Sequence, residues 1–242
     1  MGNAISRMRA DLDEGKSVLF CGTPCQVIGV RSVLGYRENL FLCDFICHGT
    51  PSALWFEKYL RTLENKYESK VTFVDFRSKL VGWAPHCIHI KFGNGKEYIK
   101  TSAADPYLID FSKNLHLRKN CYNCNRILNS QADLSLGDYW AVRVYKNMEN
   151  TNEGISIVRA QTELGAKYLE KIKTTPQVFS KDLTEHEVER TFIHRNRRIP
   201  ASCDEFPEVF PMHPKRNIKG WLHYFYYEIF IKHFRYHVKP GH

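Results

Sequence analysis

The sequence predicts an α/β fold, in which a mixed sheet is flanked by helices and carries an antiparallel hairpin insertion and a helical C-terminal extension. Residues 16–20 and 40–46 are short apolar stretches, and each runs into a Gly-Thr-Pro turn followed by a helix-like pattern. From residue 70 the apolar residues alternate as they do in antiparallel strands, and Gly-Asn-Gly at 93–95 predicts the hairpin turn. These observations define the fold class.

The same patterns place the other elements. We predict helices at residues 3–14, 26–36, 52–67 and 105–117, a strand at 132–136, and a strand, turn and helix within 153–173. Aromatic residues recur at i+4 spacing over residues 221–238, which predicts a helix with basic flanks. The chain is therefore divided into a first domain, residues 1–175, and a loop-rich segment with the aromatic helix, residues 176–242.

Composition limits the classes of function. The chain has 242 residues, a net charge of +9 and eight cysteines, and it contains no run of about 18 apolar residues and no apolar signal-peptide core. Its basic character favours an anionic partner, such as a nucleotide cofactor or an acidic redox protein. It has no signature of nucleic-acid binding, so no nucleic acid is expected. We predict a cytoplasmic protein whose cysteines bind a metal or react in redox chemistry.

Four cysteines lie in loops beside Gly, Pro or polar residues. Cys121 and Cys124 form a C-x2-C pair, a spacing that lets two sulfurs bind one metal. Cys25 follows the first predicted strand, and Cys47 follows the second. If these two strands are parallel, both loops lie at the carboxyl edge of one sheet, where α/β proteins bind ligands. Cys25 also comes at the start of a helix, where backbone N–H groups favour a thiolate.

The residues alone leave the nature of this site open. Four thiolates suit an iron–sulfur cluster or zinc, and two ligands that come singly from separate loops favour the cluster. The third alternative is that these are ordinary cysteines of a core. Cys43 and Cys87 lie in apolar strands and are interpreted as small buried residues, and Cys203 lies in a loop near no other thiol. Cys21 closes a strand and suits either a buried position or a ligand.

Five motifs in this order resemble the C-terminal domain of the coenzyme F420 hydrogenase/dehydrogenase beta subunit family. They are VLFCGTPCQVIGV, CDFICHGTPS, FRSKLVGW, RKNCYNCN and DLSLGDYW. The resemblance implies an α/β oxidoreductase that carries a 4Fe–4S cluster beside FAD and exchanges electrons with a hydride acceptor, with coenzyme F420 as a candidate substrate. It implies Cys25, Cys47, Cys121 and Cys124 as the cluster ligands. Relatives also occur in bacterial polysaccharide gene clusters, so a link to polysaccharide biosynthesis is a further expectation.

Six other residues are candidates for cofactor binding within these motifs. They are Gly22, Thr23, Gln26, His48, Gly137 and Asp138. Backbone N–H groups of the first loop suit a phosphate or a cluster sulfur, the histidine suits a cluster sulfide or the flavin, and the aspartate suits a ribityl hydroxyl. The alternative for each is structural: a tight turn, a helix cap or a solvent-facing side chain.

The chain also departs from the family pattern. Members usually begin with a ferredoxin-like segment, whereas this chain begins near the helix before GTPCQ, and GDYWAV stands where GDFWG is commoner. We therefore expect a redox partner protein or a ferredoxin-like subunit to supply electrons. The C-terminal helix is a candidate contact with a partner subunit or an anionic membrane surface. The alternative function is a partner subunit without catalysis, either stabilised by zinc or truncated and without a cofactor.

Overall fold

A computed structural model describes residues 2–83, 86–125, 130–139, 154–176 and 182–184. In chain order, the elements of these residues are α1 (Ala4–Asp13), β1 (Val18–Gly22), α2 (Pro24–Leu34), β2 (Leu40–Phe45), α3 (Ala53–Tyr67), β3 (Val71–Ser78), β4 (Cys87–Phe92), β5 (Glu97–Thr101), α4 (Pro106–Ser112), α5 (Lys119–Tyr122), β6 (Leu134–Asp138), β7 (Ser156–Ala160) and α6 (Glu163–Lys173). The described residues divide into two units, the first formed by residues 2–48, 123–125, 130–139, 155–176 and 182–184, and the second by residues 49–83, 86–122 and 154.

The first unit contains a four-stranded mixed sheet in the order β1-β2-β6-β7. Strands β1, β2 and β6 are parallel, and β7 runs antiparallel to β6. Gly22 pairs in register with Asp44, and Asp44 pairs with Ser135, so the three parallel strands end at the same edge of the sheet. The predicted mixed sheet and its parallel strands are therefore confirmed, and the loops after β1 and β2 share one edge.

Helices α1 and α2 cover one face of this sheet. The apolar residues that meet there form the core of the first unit: Met8, Leu12, Val27, Val30, Leu34, Leu40, Leu42 and Ala132. The alternation of β2 turns Phe41 to the opposite face, where its ring contacts that of Tyr168 on α6 at a centroid distance of 4.8 Å. The apolar faces of α1 and α2 are thus buried against the sheet, and this packing holds in place the strands that precede the cysteine loops.

Helix α2 begins two residues earlier than the sequence pattern predicts. Thr23 is the N-cap residue and Pro24 occupies the first turn. Proline lacks a backbone N–H, but an N–H at this position would have no partner within the helix. The helix ends at Gly35, which has a φ of 70° that a residue with a Cβ rarely adopts. Because the helix starts at Pro24, Cys25 lies in the first helical turn rather than in the preceding loop.

The second unit contains a three-stranded antiparallel sheet in the order β3-β4-β5. The predicted turn between β4 and β5 is confirmed: the N–H of Phe92 donates to the carbonyl of Lys96 at 3.0 Å, and Gly95 has a φ of 81°. Helix α3 packs its apolar stripe on the sheet. The shared core consists of Trp55, Tyr59, Leu63, Ile88, Ile90, Phe92, Tyr98, Tyr107 and Leu108.

A buried carboxylate ties this core together. Asp105 is fully buried and caps α4, because its Oδ1 accepts a hydrogen bond from the Leu108 N–H at 2.8 Å. Its Oδ2 accepts hydrogen bonds from the hydroxyls of Tyr59 at 2.7 Å and Tyr98 at 2.9 Å. Burial raises the pKa of Asp105, and the three hydrogen bonds oppose that rise. The carboxyl group is thus fully used by the fold.

Helix α4 is shorter than the helix predicted at residues 105–117. It ends at Ser112, and Asn114 and His116 follow with φ values of 62° and 56°. Left-handed backbone cannot continue an α-helix, and the sequence pattern of apolar residues does not reveal it. The chain therefore turns before it reaches Cys121.

Asp110 on α4 is expected to make the stability of the protein depend on pH. Burial raises the pKa of this carboxyl group to about 6, so between pH 4 and 6 the folded protein holds a proton that the unfolded chain has lost. Its contribution to stability is therefore present below pH 4 and decreases as pH rises to about 6. We expect the free energy of unfolding of Asp110→Asn to fall by about 2 kcal/mol less between pH 4 and pH 7 than that of the wild type. Urea unfolding at pH 4, 5, 6 and 7 measures this difference. Parallel pH profiles for the two proteins would contradict it.

Within the described part of the chain, no helix combines the length and apolar character that a membrane span needs. The predicted aromatic helix at residues 221–238 lies outside the described residues. The division of the chain at residue 175 stays a prediction.

Candidate functional site

Cys25 lies at the carboxyl edge of the sheet, in the first turn of α2. Its side chain is exposed, and its Sγ lies 3.1 Å from the hydroxyl of Thr23 in the loop that leaves β1. The unpaired N–H groups at the start of a helix favour negative charge nearby. The Thr23 hydroxyl donates its single proton to Gln26 Oε1, so toward Cys25 it acts as the acceptor of a hydrogen bond from the thiol.

Gln26 and Gly22 shape this loop. The Oε1 of Gln26 accepts hydrogen bonds from the backbone N–H of Thr23 at 2.9 Å and from its hydroxyl at 3.1 Å. A Cβ on Gly22 would lie 2.9 Å from the Phe20 ring and 3.0 Å from the Gln26 amide oxygen. Gly22, Thr23 and Gln26 thus hold one another in a tight capped turn, which is the structural role that the sequence left open for them. Their cofactor-binding role stays a prediction.

Cys47 and His48 follow β2 at the same edge of the sheet, and both side chains are partly exposed. The N–H of Ile46, the residue before Cys47, donates to the carbonyl of Leu136 in β6 at 2.8 Å. The pairing of β2 with β6 therefore continues to the residue before Cys47. This places Cys47 and His48 just beyond the end of the parallel ladder, where side chains are not covered by sheet neighbours.

Cys121 lies in the short helix α5 of the second unit. Its Sγ accepts a hydrogen bond from the backbone N–H of Thr50 at 3.4 Å. Two further contacts hold these segments together: Pro51 forms a bridge with Leu117, and the N–H of Arg118 donates to the carbonyl of Thr50 at 2.9 Å. A backbone N–H aimed at a sulfur stabilises a thiolate there, as it does around metal-bound cysteines.

A close approach explains the glycine of the CHGTP sequence. Gly49 has a φ of 131°, and a Cβ on it would lie 2.8 Å from Leu117 Cδ1 and 3.6 Å from the Cβ of Cys121. A larger residue would force the Leu117 side chain to move and would have to adopt a φ that residues with a Cβ rarely adopt. Within the second unit, the Gly-Thr-Pro turn is therefore packed directly on the segment that carries Cys121.

Of the other described cysteines, Cys43 and Cys87 differ from the four candidate ligands in burial, whereas Cys21 is exposed. Cys124 is partly exposed, like Cys47 and Cys121, whereas Cys43 and Cys87 are buried. Burial raises the pKa of Cys87, and burial together with the neighbouring Cys21 raises the pKa of Cys43 to about 12. Both groups are held as neutral thiols, which do not bind metals. Cys203 lies outside the described residues.

Gly137 and Asp138 are the last two residues of β6, at the carboxyl edge. Gly137 pairs with Ile157 and Asp138 with Ser156. A Cβ on Gly137 would overlap the Ile46 side chain, so this glycine lets the residue before Cys47 pack against the sheet. Asp138 is partly exposed at the strand end. Both residues thus lie at the predicted edge, and their cofactor-binding role stays a prediction.

Asp44 is a site residue that the sequence pattern did not single out. It lies in β2 between Cys43 and Phe45, is 2% exposed, and accepts a hydrogen bond from the Ser130 hydroxyl at 2.6 Å. An ionisable residue inside the apolar run LFLCDFI is the signal that could have found it. Its carboxyl group adds a hydrogen-bond acceptor three residues before Cys47.

The arrangement of possible ligand side chains indicates whether this structure could bind a metal ion. Among the residues that the structure describes, no three His, Cys, Asp or Glu side chains are gathered closely enough to hold a metal ion. Cys25, Cys47 and Cys124 belong to the first unit and Cys121 to the second. The donor chemistry does fit thiolate ligation, because these four thiols are at least partly exposed and Cys121 receives a backbone N–H. The set of four ligands is therefore a proposal that rests on the motifs.

Comparison with known proteins identifies the family. Residues 15–186 match the family described as coenzyme F420 hydrogenase/dehydrogenase, C terminus of the beta subunit. This range includes β1, all four loop cysteines and α6. No curated protein matches the chain. The match covers more than half of the chain, and the chain therefore belongs to the coenzyme F420 hydrogenase/dehydrogenase beta subunit family, through its C-terminal domain.

Proposed function

We propose that this chain is an electron-transfer subunit of a flavin-dependent oxidoreductase, with one 4Fe–4S cluster held by Cys25, Cys47, Cys121 and Cys124. The observation that carries the proposal is the contrast among the cysteines of a chain from this oxidoreductase-associated family. Cys21, although exposed, lies within strand β1. Cys25, Cys47, Cys121 and Cys124 are at least partly exposed in loops or in a helical turn, whereas Cys43 and Cys87 are buried. Cysteines that serve only as small core residues would share the second environment.

The chain's own residues would stabilise thiolates at two of these positions. The N–H of Thr50 donates to Cys121 Sγ, and the start of α2 places backbone N–H groups beside Cys25. Backbone N–H donors of this kind also set the potential of a thiolate-ligated cluster. When bound, the cluster would supply one-electron transfer, and FAD would supply hydride chemistry.

The residues proposed for FAD lie together at one edge of the first unit's sheet. Gly22 ends β1, His48 follows β2, and Asp138 ends β6. The switch from parallel to antiparallel strands comes at the same place, since β7 starts with Ser156 beside Asp138. The carboxyl edge of parallel strands is where open α/β sheets bind nucleotides, and this supports Gly22, Thr23, Gln26, His48, Gly137 and Asp138 as flavin contacts.

The family description names a beta subunit, so we propose a partner subunit that exchanges electrons with this chain. The net charge of +9 favours an acidic partner, such as a ferredoxin-like subunit. Coenzyme F420 is the candidate hydride acceptor that the family description suggests. A complex that persists at low salt and dissociates at high salt would fit this charge-driven contact.

The experiment that tests the cluster is an anaerobic purification with iron, acid-labile sulfide, zinc and flavin assayed on one sample. We expect about four irons per chain and a broad visible absorption of thiolate-ligated iron. Cys121→Ser is expected to lose most of the iron, because oxygen is a poor ligand in such a cluster. Cys21→Ser is the matched control, since Cys21 is exposed and lies outside the proposed ligand set; its iron content should be unchanged.

Each other outcome of this experiment contradicts a stated part of the proposal. About one zinc per chain in place of iron would contradict the proposed electron-transfer role and would favour a zinc-stabilised module. A colourless protein without metal, even after reconstitution with iron and sulfide, would leave a subunit without a cluster. Iron without flavin would contradict FAD binding by this chain alone and would assign the flavin to the complex with its partner.

A further inference from the structure

Two cysteines outside the proposed ligand set lie side by side on neighbouring strands. Cys21 of β1 and Cys43 of β2 are a register pair in the parallel ladder, next to the pair formed by Gly22 and Asp44. Adjacent strands are about 4.8 Å apart, and disulfides join residues whose Cα atoms are about 4.4 to 6.8 Å apart. The backbone spacing of this pair therefore permits a disulfide.

Both side chains emerge from the same face of the sheet. Val18 and Phe20 of β1 pack on the first unit's core, as do Leu40 and Leu42 of β2. The alternation of strand side chains then turns Cys21 and Cys43 to the opposite face. Burial raises the pKa of the Cys43 thiol, and the Cys21 thiol beside it raises it further. Side-chain direction thus agrees with the register.

The two thiols differ in access to solvent. Cys21 is exposed, whereas Cys43 is 7% exposed and donates its S–H to the Asp44 carbonyl at 3.9 Å. A small oxidant in solution can therefore reach Cys21 and cannot reach Cys43 directly. This is the arrangement of an attacking thiol with a resolving thiol behind it.

We propose that Cys21 and Cys43 are a reversible dithiol–disulfide pair that reacts with low-molecular-mass disulfides. The Cys21 thiolate attacks the disulfide RSSR, the S–S bond of RSSR breaks, and RS⁻ leaves as the Cys21–S–S–R bond forms. The first RS⁻ takes the proton of Cys43, the Cys43 thiolate attacks Cys21 Sγ, the Cys21–S–S–R bond breaks, and the second RS⁻ leaves and takes up the proton that Cys21 had lost. In total, two protein thiols are oxidised by two electrons and RSSR is reduced to two RSH.

The geometry favours a bond that is easily reduced again. In a parallel pair the two Cβ atoms point the same way out of the sheet and not toward each other, so the bond forms with strain. Strained disulfides are the labile ones that small thiols reopen. The pair lies four residues before Cys25 and Cys47, respectively, so the disulfide would cross-link β1 to β2 beneath the two loops of the proposed cluster site.

Treatment of the purified full-length chain with glutathione disulfide, followed by alkylation and mass spectrometry, tests the pair. We expect a mass loss of two hydrogens that dithiothreitol reverses. Trypsin leaves Cys21 with Cys25 on one peptide and Cys43 with Cys47 on another. Fragmentation of the cross-linked peptides must therefore assign the bond, and we expect it between Cys21 and Cys43. This readout needs no substitution, so it remains valid if a variant fails to fold.

Two variants separate this pair from the proposed ligands. Cys21→Ser is expected to abolish the cross-link, and Cys25→Ser, which changes the neighbouring exposed cysteine, is expected to retain it. A cross-link that persists in Cys21→Ser would contradict the proposed Cys21–Cys43 disulfide. So would a wild-type protein that accumulates only a glutathione adduct on Cys21, since Cys43 would then not resolve it. The iron content of Cys21→Ser is expected to match the wild type, so this pair and the cluster are tested independently.

Discussion

Replacement of Asp133 by Ala is expected to destabilise the protein by about 3–5 kcal/mol, the cost of breaking a buried ion pair from one side. Asp133 is 3% exposed, and its Oδ2 lies 3.5 Å from Nη2 of Arg31, which is 6% exposed. The carboxylate also accepts hydrogen bonds from the Leu42 N–H and the Thr162 hydroxyl, both at 2.8 Å. The substitution therefore leaves a buried cation and removes contacts to both β2 and the start of α6.

Urea unfolding of matched variants checks this expectation. Asp13→Ala breaks the shorter ion pair between Asp13 and Arg37, whose atoms are 2.6 Å apart, but the Asp13 side chain is 58% exposed. We expect that variant to lose no more than about 1 kcal/mol, because water screens exposed pairs. Adding Arg31→Met to Asp133→Ala should recover part of the loss, since the unpaired charge is then gone. Equal losses for Asp133→Ala and Asp13→Ala would show that burial does not govern these pairs.

Local sequence patterns predicted the parallel strands and the edge of the sheet where the loops lie, although they misplaced the start of α2 and the end of α4. A short apolar strand that runs into Gly-Thr-Pro predicts a strand, a tight turn and a helix start, because proline and glycine restrict the backbone locally. The structure confirms this for β1 and α2, and it confirms the parallel pairing with β2. It also buries Cys43 and Cys87, as expected for cysteines in apolar strands.

Contacts between residues far apart in the sequence could not be predicted in this way. Asp133 reaches Arg31 and Leu42 across about ninety to one hundred residues, and nothing in the local pattern of any of these segments indicates the others. Asp44 is similar, because its carboxylate accepts a hydrogen bond from Ser130, 86 residues along the chain. The same limit applies to Cys21: its exposure follows from the place of β1 at an end of the sheet order, which only the assembled sheet determines.

Gly165→Ala is expected to destabilise the protein strongly, although helix propensity alone predicts that alanine would stabilise it. Gly165 is buried in the first turn of α6, and a Cβ there would overlap the carbonyl oxygen of Asp133. Alanine in a helix interior is ordinarily favoured over glycine by about 1 kcal/mol. Here the obstacle is backbone, which cannot rotate away as a side chain can, so α6 must move off the start of β6. We expect a loss of about 3 kcal/mol, the upper part of the range for overpacked sites.

The neighbouring residue provides the matched control. Ala166 is exposed on the same helix, and Ala166→Gly should cost about 1 kcal/mol through propensity alone. If propensity governed both positions, Gly165→Ala would stabilise the protein while Ala166→Gly destabilised it, and urea unfolding would show opposite shifts. If close packing governs Gly165, both variants are less stable and Gly165→Ala is the worse. The capping hydrogen bond from the Gly165 N–H to the Thr162 hydroxyl, and from there to Asp133, would be disturbed with it, so Gly165→Ala and Asp133→Ala weaken the same junction of β6 and α6.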